Sequence, residues 1–201
     1  MAAPIDFYFD FSSPYGYLAS RRIEALASQH GRSVAWHPIL LGVIFKETGG
    51  VPLTQVPLKG DYSRRDMLRS ARFHGIVEFR MPSRFPIPTQ AAARIVLALQ
   101  ATDAALAANV AKALYHAYFV EDLDISDPDI AAEVAGRAGA DAAAMRASID
   151  DPAVKEALKI AVARAMTTGV CGSPYFVVDG EPFWGLDRFP QIERWLASGG
   201  F

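Results

Sequence analysis

The chain has 201 residues, of which 51% are hydrophobic and 21% charged, with mean hydropathy +0.13. That is enough apolar material for a sizeable core, in one domain with an insertion or in two small lobes. A net charge of −2 and a pI near 6.1 leave no electrostatic footprint for nucleic acid.

The first residues, MAAPIDFYFDF, lack a basic segment and carry Asp6 and Asp10 within their apolar run, so no signal peptide is expected. No stretch approaches the roughly 20 apolar residues of a membrane helix. Cys171 is the only cysteine. An internal disulfide is thus excluded, and a reducing cytoplasm is the expected compartment.

Residues 5–10, IDFYFD, alternate with period two and are aromatic-rich, which predicts a strand. Ser13 before Pro14 is a helix start, and Tyr17, Leu18, Ile23 and Leu26 continue one apolar stripe until Gly31. Residues 33–40, SVAWHPIL, read as a second strand. From about 61 to 168 the pattern is helical, with predicted helices over 61–75, 89–101, 103–120, 127–138, 141–149 and 152–168. Asp127-Pro128 and Asp151-Pro152 mark two of their starts. Residues 174–178 and 181–184 are short strands around an Asp179-Gly180 hairpin turn. Asp187 is placed to cap a final helix running to Leu196 and closed by Gly199. The order is β-α-β, a helical block, then β-β-α: a small α/β lobe split by an inserted helical lobe.

Charge is uneven along the chain. Residues 46–84 hold eight Lys/Arg against four Asp/Glu, and 121–156 hold ten acidic against three basic residues. Solvated helix faces account for most of this. Arg65, Arg69 and Arg72 share one helical face by spacing. With Lys46 they are candidates to line an anionic-substrate pocket.

Three stretches carry candidate chemistry. At DFSSPYGY, residues 10–17, a strand turns into a helix whose first N–H groups have no internal partner. Ser13 there is either an N-cap or a hydroxyl donor to a bound anion. In GVCGSPYFVVDG, residues 169–180, Pro174 opens a strand after Gly-Ser, a setting in which cis peptides recur. Peptide groups flanking a cis proline there can pair with an extended ligand backbone. Cys171 reads as a small, partly buried thiol, because a nucleophile needs a base that sequence does not display. In FWGLDRF, residues 183–189, Asp187 is a helix cap or a carboxylate gripping an α-amino acid. The histidines at 30, 37, 74 and 116 lack metal-ligand spacing. Phosphate loops and the G-x-S-x-G elbow are absent.

Together the stretches FYFDFSSPYGYLA (7–19), LLGVIFKETG (40–49), FP (85–86) and GVCGSPYFVVDGEPFWGLDR (169–188) resemble the thioredoxin superfamily in its DsbA-like branch. Within it they resemble the 2-hydroxychromene-2-carboxylate isomerases, relatives of kappa-class glutathione transferases. The resemblance implies a thioredoxin-like β-α-β/β-β-α domain, residues 1–42 and 169–201, with an inserted all-helical domain, residues 43–168. The C-x-x-C of DsbA-like oxidoreductases is here Ser13-Pro14-Tyr15-Gly16, so dithiol exchange at this turn is excluded. The resemblance implies instead that glutathione brings the thiol. Ser13 would bond its sulfur, Ser173 and Pro174 would pair with its backbone, and Trp184, Gly185, Leu186 and Asp187 would hold its γ-glutamyl end. Lys46, Gly50 and Phe85 stand at substrate-contacting positions, for a small anionic aromatic substrate, and the resemblance leaves room for a homodimer.

The implied reaction is cis-trans isomerisation by reversible addition of the glutathione thiolate to an enone. A kappa-type transferase and a cysteine-less binding module are the alternatives. Three departures bear on the substrate: Gly50 replaces a common Asn, Pro88 replaces an Asn after the FP pair, and Cys171 replaces a bulky apolar residue. Cys171→Ser is expected to leave activity within a few-fold; a collapse in an assay of the purified variant would make Cys171 the nucleophile.

Overall fold

A computed structural model of the chain describes residues 2–201. Strand β1 (Ile5–Phe9) buries Ile5, Phe7 and Phe9 and turns Asp6 and Tyr8 outward, as its period-two pattern requires. It lies at the centre of a four-stranded sheet. On one side it pairs in parallel with β2 (Val34–Pro38), Phe7 opposite Trp36. On the other it pairs antiparallel with β3 (Tyr175–Val178), which continues into β4 (Glu181–Trp184), giving the order β2-β1-β3-β4. The Asp179-Gly180 turn has φ of 52° and 90°, the left-handed pair that a two-residue hairpin needs. Phe7 stacks on Phe176 at 5.3 Å and meets Trp36 edge-on at 5.0 Å, so the sheet's aromatic face forms the core of this half.

The crossover from β1 to β2 is two helices rather than the single one expected: α1 (Pro14–Ser20) and α2 (Ile23–Gln29). The Arg22 N–H reaches back only to the Ala19 carbonyl, at 3.0 Å, a tightened turn that ends α1. A further helix, α3 (Leu41–Thr48), fills a stretch that the sequence reading left without an element. Its first residue follows Leu40, which offers no capping side chain, and Gly49 ends it with φ 72°.

The inserted block holds α4 (Lys59–Phe73), α5 (Gln90–Gln100), α6 (Ala104–Phe119), α7 (Pro128–Arg137), α8 (Ala142–Asp150) and α9 (Pro152–Thr167). Helix α5 is its axis, packed against α6, α7, α8 and α9. Its buried Ala91, Ala92 and Ala93 let neighbours approach closely. Asp127 and Asp151 cap α7 and α9, with bonds of 2.8 Å to the Asp129 N–H and 2.7 Å to the Ala153 N–H, each with proline next. Asp187, by contrast, caps nothing. A 3-10 turn, Leu186–Arg188, intervenes before α10 (Phe189–Ser198), and the Asp187 carboxylate pairs with Arg188. Among the described residues no helix is long and apolar enough to cross a membrane.

Candidate active-site cleft

At the end of β1 the chain makes a tight turn whose centre is a buried carboxylate. Asp10 is 2% exposed. One of its oxygens accepts from the Ser12 N–H at 2.7 Å, and the other from the Leu41 N–H at 2.6 Å and the Thr89 hydroxyl at 3.3 Å. Burial penalises the charge and pushes its pKa up to about 6, against the opposing pull of those three donors. Asp10 thereby joins the turn to the first residues of α3 and to the residue before α5.

Ser13 follows, 4% exposed, as the N-cap of α1. Its hydroxyl oxygen accepts from the Gly16 N–H at 3.0 Å, and its proton goes to the Ser173 carbonyl at 2.8 Å. The Ser173 hydroxyl in turn accepts from the Asp10 N–H at 3.1 Å. The Ser173–Pro174 peptide is cis, as is Phe85–Pro86. Ser12 binds the second of these loops, accepting from the Ile87 N–H at 3.1 Å and donating to the Ile87 carbonyl at 2.9 Å. Flanking Pro174, the carbonyl of Ser173 is taken by Ser13 and that of Pro174 by the Gly185 N–H at 3.0 Å.

The fourth position of the turn, Gly16, has no room for a side chain. A Cβ there would stand 2.6 Å from the Tyr115 hydroxyl and 2.9 Å from Ser173 Oγ. Tyr115, from α6, is fully buried and donates to the Asp10 carbonyl at 2.9 Å. Burial, with the Asp10 charge, holds its phenol well above the usual range. The space that a second turn cysteine would occupy is therefore filled by a phenol. Gly172 has an analogous role: a Cβ there would lie 2.8 Å from Cε2 of the Trp184 indole, so its absence lets Trp184 lie against the cis-proline loop.

The ten residues that the resemblance places at ligand contacts, Ser13, Lys46, Gly50, Phe85, Ser173, Pro174, Trp184, Gly185, Leu186 and Asp187, line one cleft of about 2180 Å³. Ser13 and Leu186 are buried in its wall, Lys46 is exposed on α3, and Trp184 is 60% exposed at its edge. Cys171 and Pro88 line it as well. At Gly50 a Cβ would come within 2.9 Å of the Phe45 ring, so the amide absent there would need that ring to move.

The arginine face of α4 is a correction. Arg65, Arg69 and Arg72 are exposed and outside the cleft lining, and Arg69 pairs with Asp66. Helix α4 turns Gly60, Ser63, Met67 and Ala71 inward instead. The arginines that do line the cleft are Arg21 and Arg22, at the joint between α1 and α2. Tyr15 links the two halves by donating to Asp66 at 2.6 Å. Burial works against ionisation of Asp66, but the bonds from Tyr15 and Arg69 hold its pKa below the usual carboxylate range. Sequence reasoning missed Asp10 and Tyr115. Only Asp10 left a trace, as an acid breaking an apolar run.

Residues 4–197 match the DSBA-like thioredoxin domain. The chain belongs to this DsbA-like family. Among its relatives is a 2-hydroxychromene-2-carboxylate isomerase of Sphingobium xenophagum, 30% identical over 98% of this chain and 100% of the relative. The Caenorhabditis elegans protein named glutathione S-transferase kappa 2 is 28% identical over 96% of this chain and 92% of its own length. A solved 2-hydroxychromene-2-carboxylate isomerase superposes with TM-score 0.86 at 25% identity, covering 96% of this chain and 94% of that one. As a DsbA-like domain the protein keeps the turn, the cis proline and the helical insertion, and has neither turn cysteine.

Two outcomes test the turn. Gly16→Ala is expected to lower stability by about 1–3 kcal/mol through overpacking, and by less in a Tyr115→Phe background, read from urea unfolding of the double-mutant cycle. Asp10 holds its proton more tightly folded than unfolded, where its pKa is near 3.8. Its contribution is thus most favourable below pH 4 and declines as pH rises to about 6. The stability of wild type relative to Asp10→Asn should fall by up to roughly 3 kcal/mol between pH 4 and 7. A gap that does not change with pH would assign Asp10 an ordinary acidity.

Proposed function

We propose that the protein is a glutathione-dependent isomerase that interconverts 2-hydroxychromene-2-carboxylate and trans-o-hydroxybenzylidenepyruvate, in the breakdown of aromatic hydrocarbons. The observation that carries this reading is convergence: residues from the first turn, from α3 and the following loops, and from the last third of the chain line one cleft. Relatives of nearly the same length bear the isomerase name.

Three features fit glutathione. Ser13 supplies a hydroxyl at the head of α1. Beside the cis proline, the Ser173 N–H meets no acceptor among the described residues and is available to an extended peptide. The segment Trp184 to Asp187 borders the same space with an exposed carboxylate. When bound, glutathione supplies a thiolate whose reversible addition to the enone makes the double bond single and free to rotate.

The chain's own residues stabilise and orient. The Ser13 proton turns from the Ser173 carbonyl toward the sulfur, which favours the ionised thiol. Lys46 offers the cation for the substrate carboxylate, and Phe85 an apolar wall. In this reading, residues 1–42 and 169–201 hold glutathione and residues 43–168 line the substrate space. The lone cysteine suits a reducing cytoplasm. The kappa-type relatives favour one second reading, transfer of the same thiol to an electrophile with release of the conjugate.

Calorimetry with glutathione tests both readings, and absence of binding to wild type would sink them together. Ser13→Ala is expected to weaken binding roughly 10- to 100-fold through loss of a hydrogen bond to a charged group. Loss of the hydroxychromene carboxylate chromophore with glutathione unconsumed identifies the isomerase; stoichiometric consumption identifies the transferase.

A further inference from the structure

The cleft extends beyond the residues considered so far. Helix α1 rises about 1.5 Å per residue, so its far end lies about 10 Å from Ser13. Arg22, just past that end, lines the cleft, as do His74, Phe73, Phe189, Gln29 and Glu193. Arg22 is held in place from two sides. Its guanidinium Nη1 lies 2.9 Å from His74 Nδ1, and its carbon sits 5.1 Å above the Phe189 ring. Arginine has only donors, so His74 must accept at Nδ1 and is neutral, with its remaining proton on Nε2. Burial and the adjacent guanidinium both hold the His74 pKa below its usual value.

Among the described residues no carboxylate stands within ion-pair distance of Arg22, whereas the adjacent Arg21 is engaged by Glu78 at 3.3 Å. A guanidinium fixed by a ring and an imidazole, yet without an anion, is preorganised for one. We infer that Arg22 and His74 form a carboxylate-binding subsite at the α1–α2 end of the cleft, apart from Lys46, for the acid group of a small ligand lying along α1. Glu193 and Asp187 line the same cleft and would be the acceptors for an ammonium on the same ligand. The γ-glutamyl head of a thiol peptide carries both groups. The carboxylate of a separate organic acid is the other source. The γ-glutamyl assignment rests on the glutathione reading; the subsite does not.

The test is calorimetry on wild type, Arg22→Gln and His74→Leu with three probes: glutathione, ophthalmate (the γ-glutamyl peptide without the thiol) and cinnamate. Arg22→Gln is expected to weaken glutathione and ophthalmate about tenfold or more and to leave cinnamate within twofold. His74→Leu frees Arg22 without removing it and should produce a smaller loss of the same kind. If cinnamate alone depends on Arg22, the subsite holds a separate acid. If wild type binds cinnamate through Arg22 but neither peptide, the subsite stands and the glutathione reading falls. Circular dichroism and thermal melting establish that each variant is folded. Folded variants of both residues that keep all three affinities within twofold overturn the subsite and leave Arg22 a purely structural role on Phe189.

Discussion

The rest of the structure depends on one buried acid. Asp10 sits where β1 leaves the sheet, and its carboxylate and backbone gather partners from every part of the chain: Ser12, Leu41, Thr89, Tyr115 and Ser173. Each removes a hydrogen-bonding need that the others create. The carboxylate requires donors because it is out of water, and the starts of α3 and α5 are drawn to it. With those helices fixed, the inserted block has one orientation over the sheet, and the cleft between them has one shape. The hydroxyls of Ser13 and Ser173 are then held by bonds from different segments rather than by their own rotamer preferences alone.

This arrangement also accounts for what the turn cannot do. A redox turn needs two sulfurs three positions apart, at the first and fourth of its four residues. Here the first position is a hydroxyl already bonded on both sides, and the second is closed by Tyr115 and Ser173. The DsbA-like scaffold here carries Ser13 and Gly16 at the two cysteine positions of the turn.

Much of this was legible in the sequence, for local reasons. Ser13-Pro14, Asp127-Pro128, Asp151-Pro152 and Asp179-Gly180 are backbone instructions spanning two residues, and each is obeyed. The features that sequence did not reveal are set by tertiary contact. The break between α1 and α2 falls at two arginines, with neither glycine nor proline to announce it. Helix α3 starts after a leucine, and its apolar run suits a strand equally well. Asp187 has the composition of a cap, but a 3-10 turn takes up the distance to the helix. Spacing correctly put Arg65, Arg69 and Arg72 on one face of α4, but spacing does not say which face looks inward. Met67 and the small residues around it decided that. Of the buried polar network, Asp10 alone interrupts an apolar pattern; Tyr115 looks like any other aromatic residue of a helix.

The sheet's strand order has a consequence for how the protein is made. β1 is central, yet its neighbour β3 is far along the chain, with Asp10 and Ser173 bonded across 163 positions. At the usual pace of about 5–20 residues per second, the ribosome takes on the order of ten seconds to supply that neighbour. During that interval one side of the strand IDFYF has no partner, an exposed template for pairing with other chains. The helices of the insertion are emerging meanwhile, rich in local contacts that form quickly, and α6 brings Tyr115 to the turn before the last strands exist. The nascent chain therefore has an unpaired strand edge until β3 emerges, and it acquires its cleft only once β3 and β4 have been made.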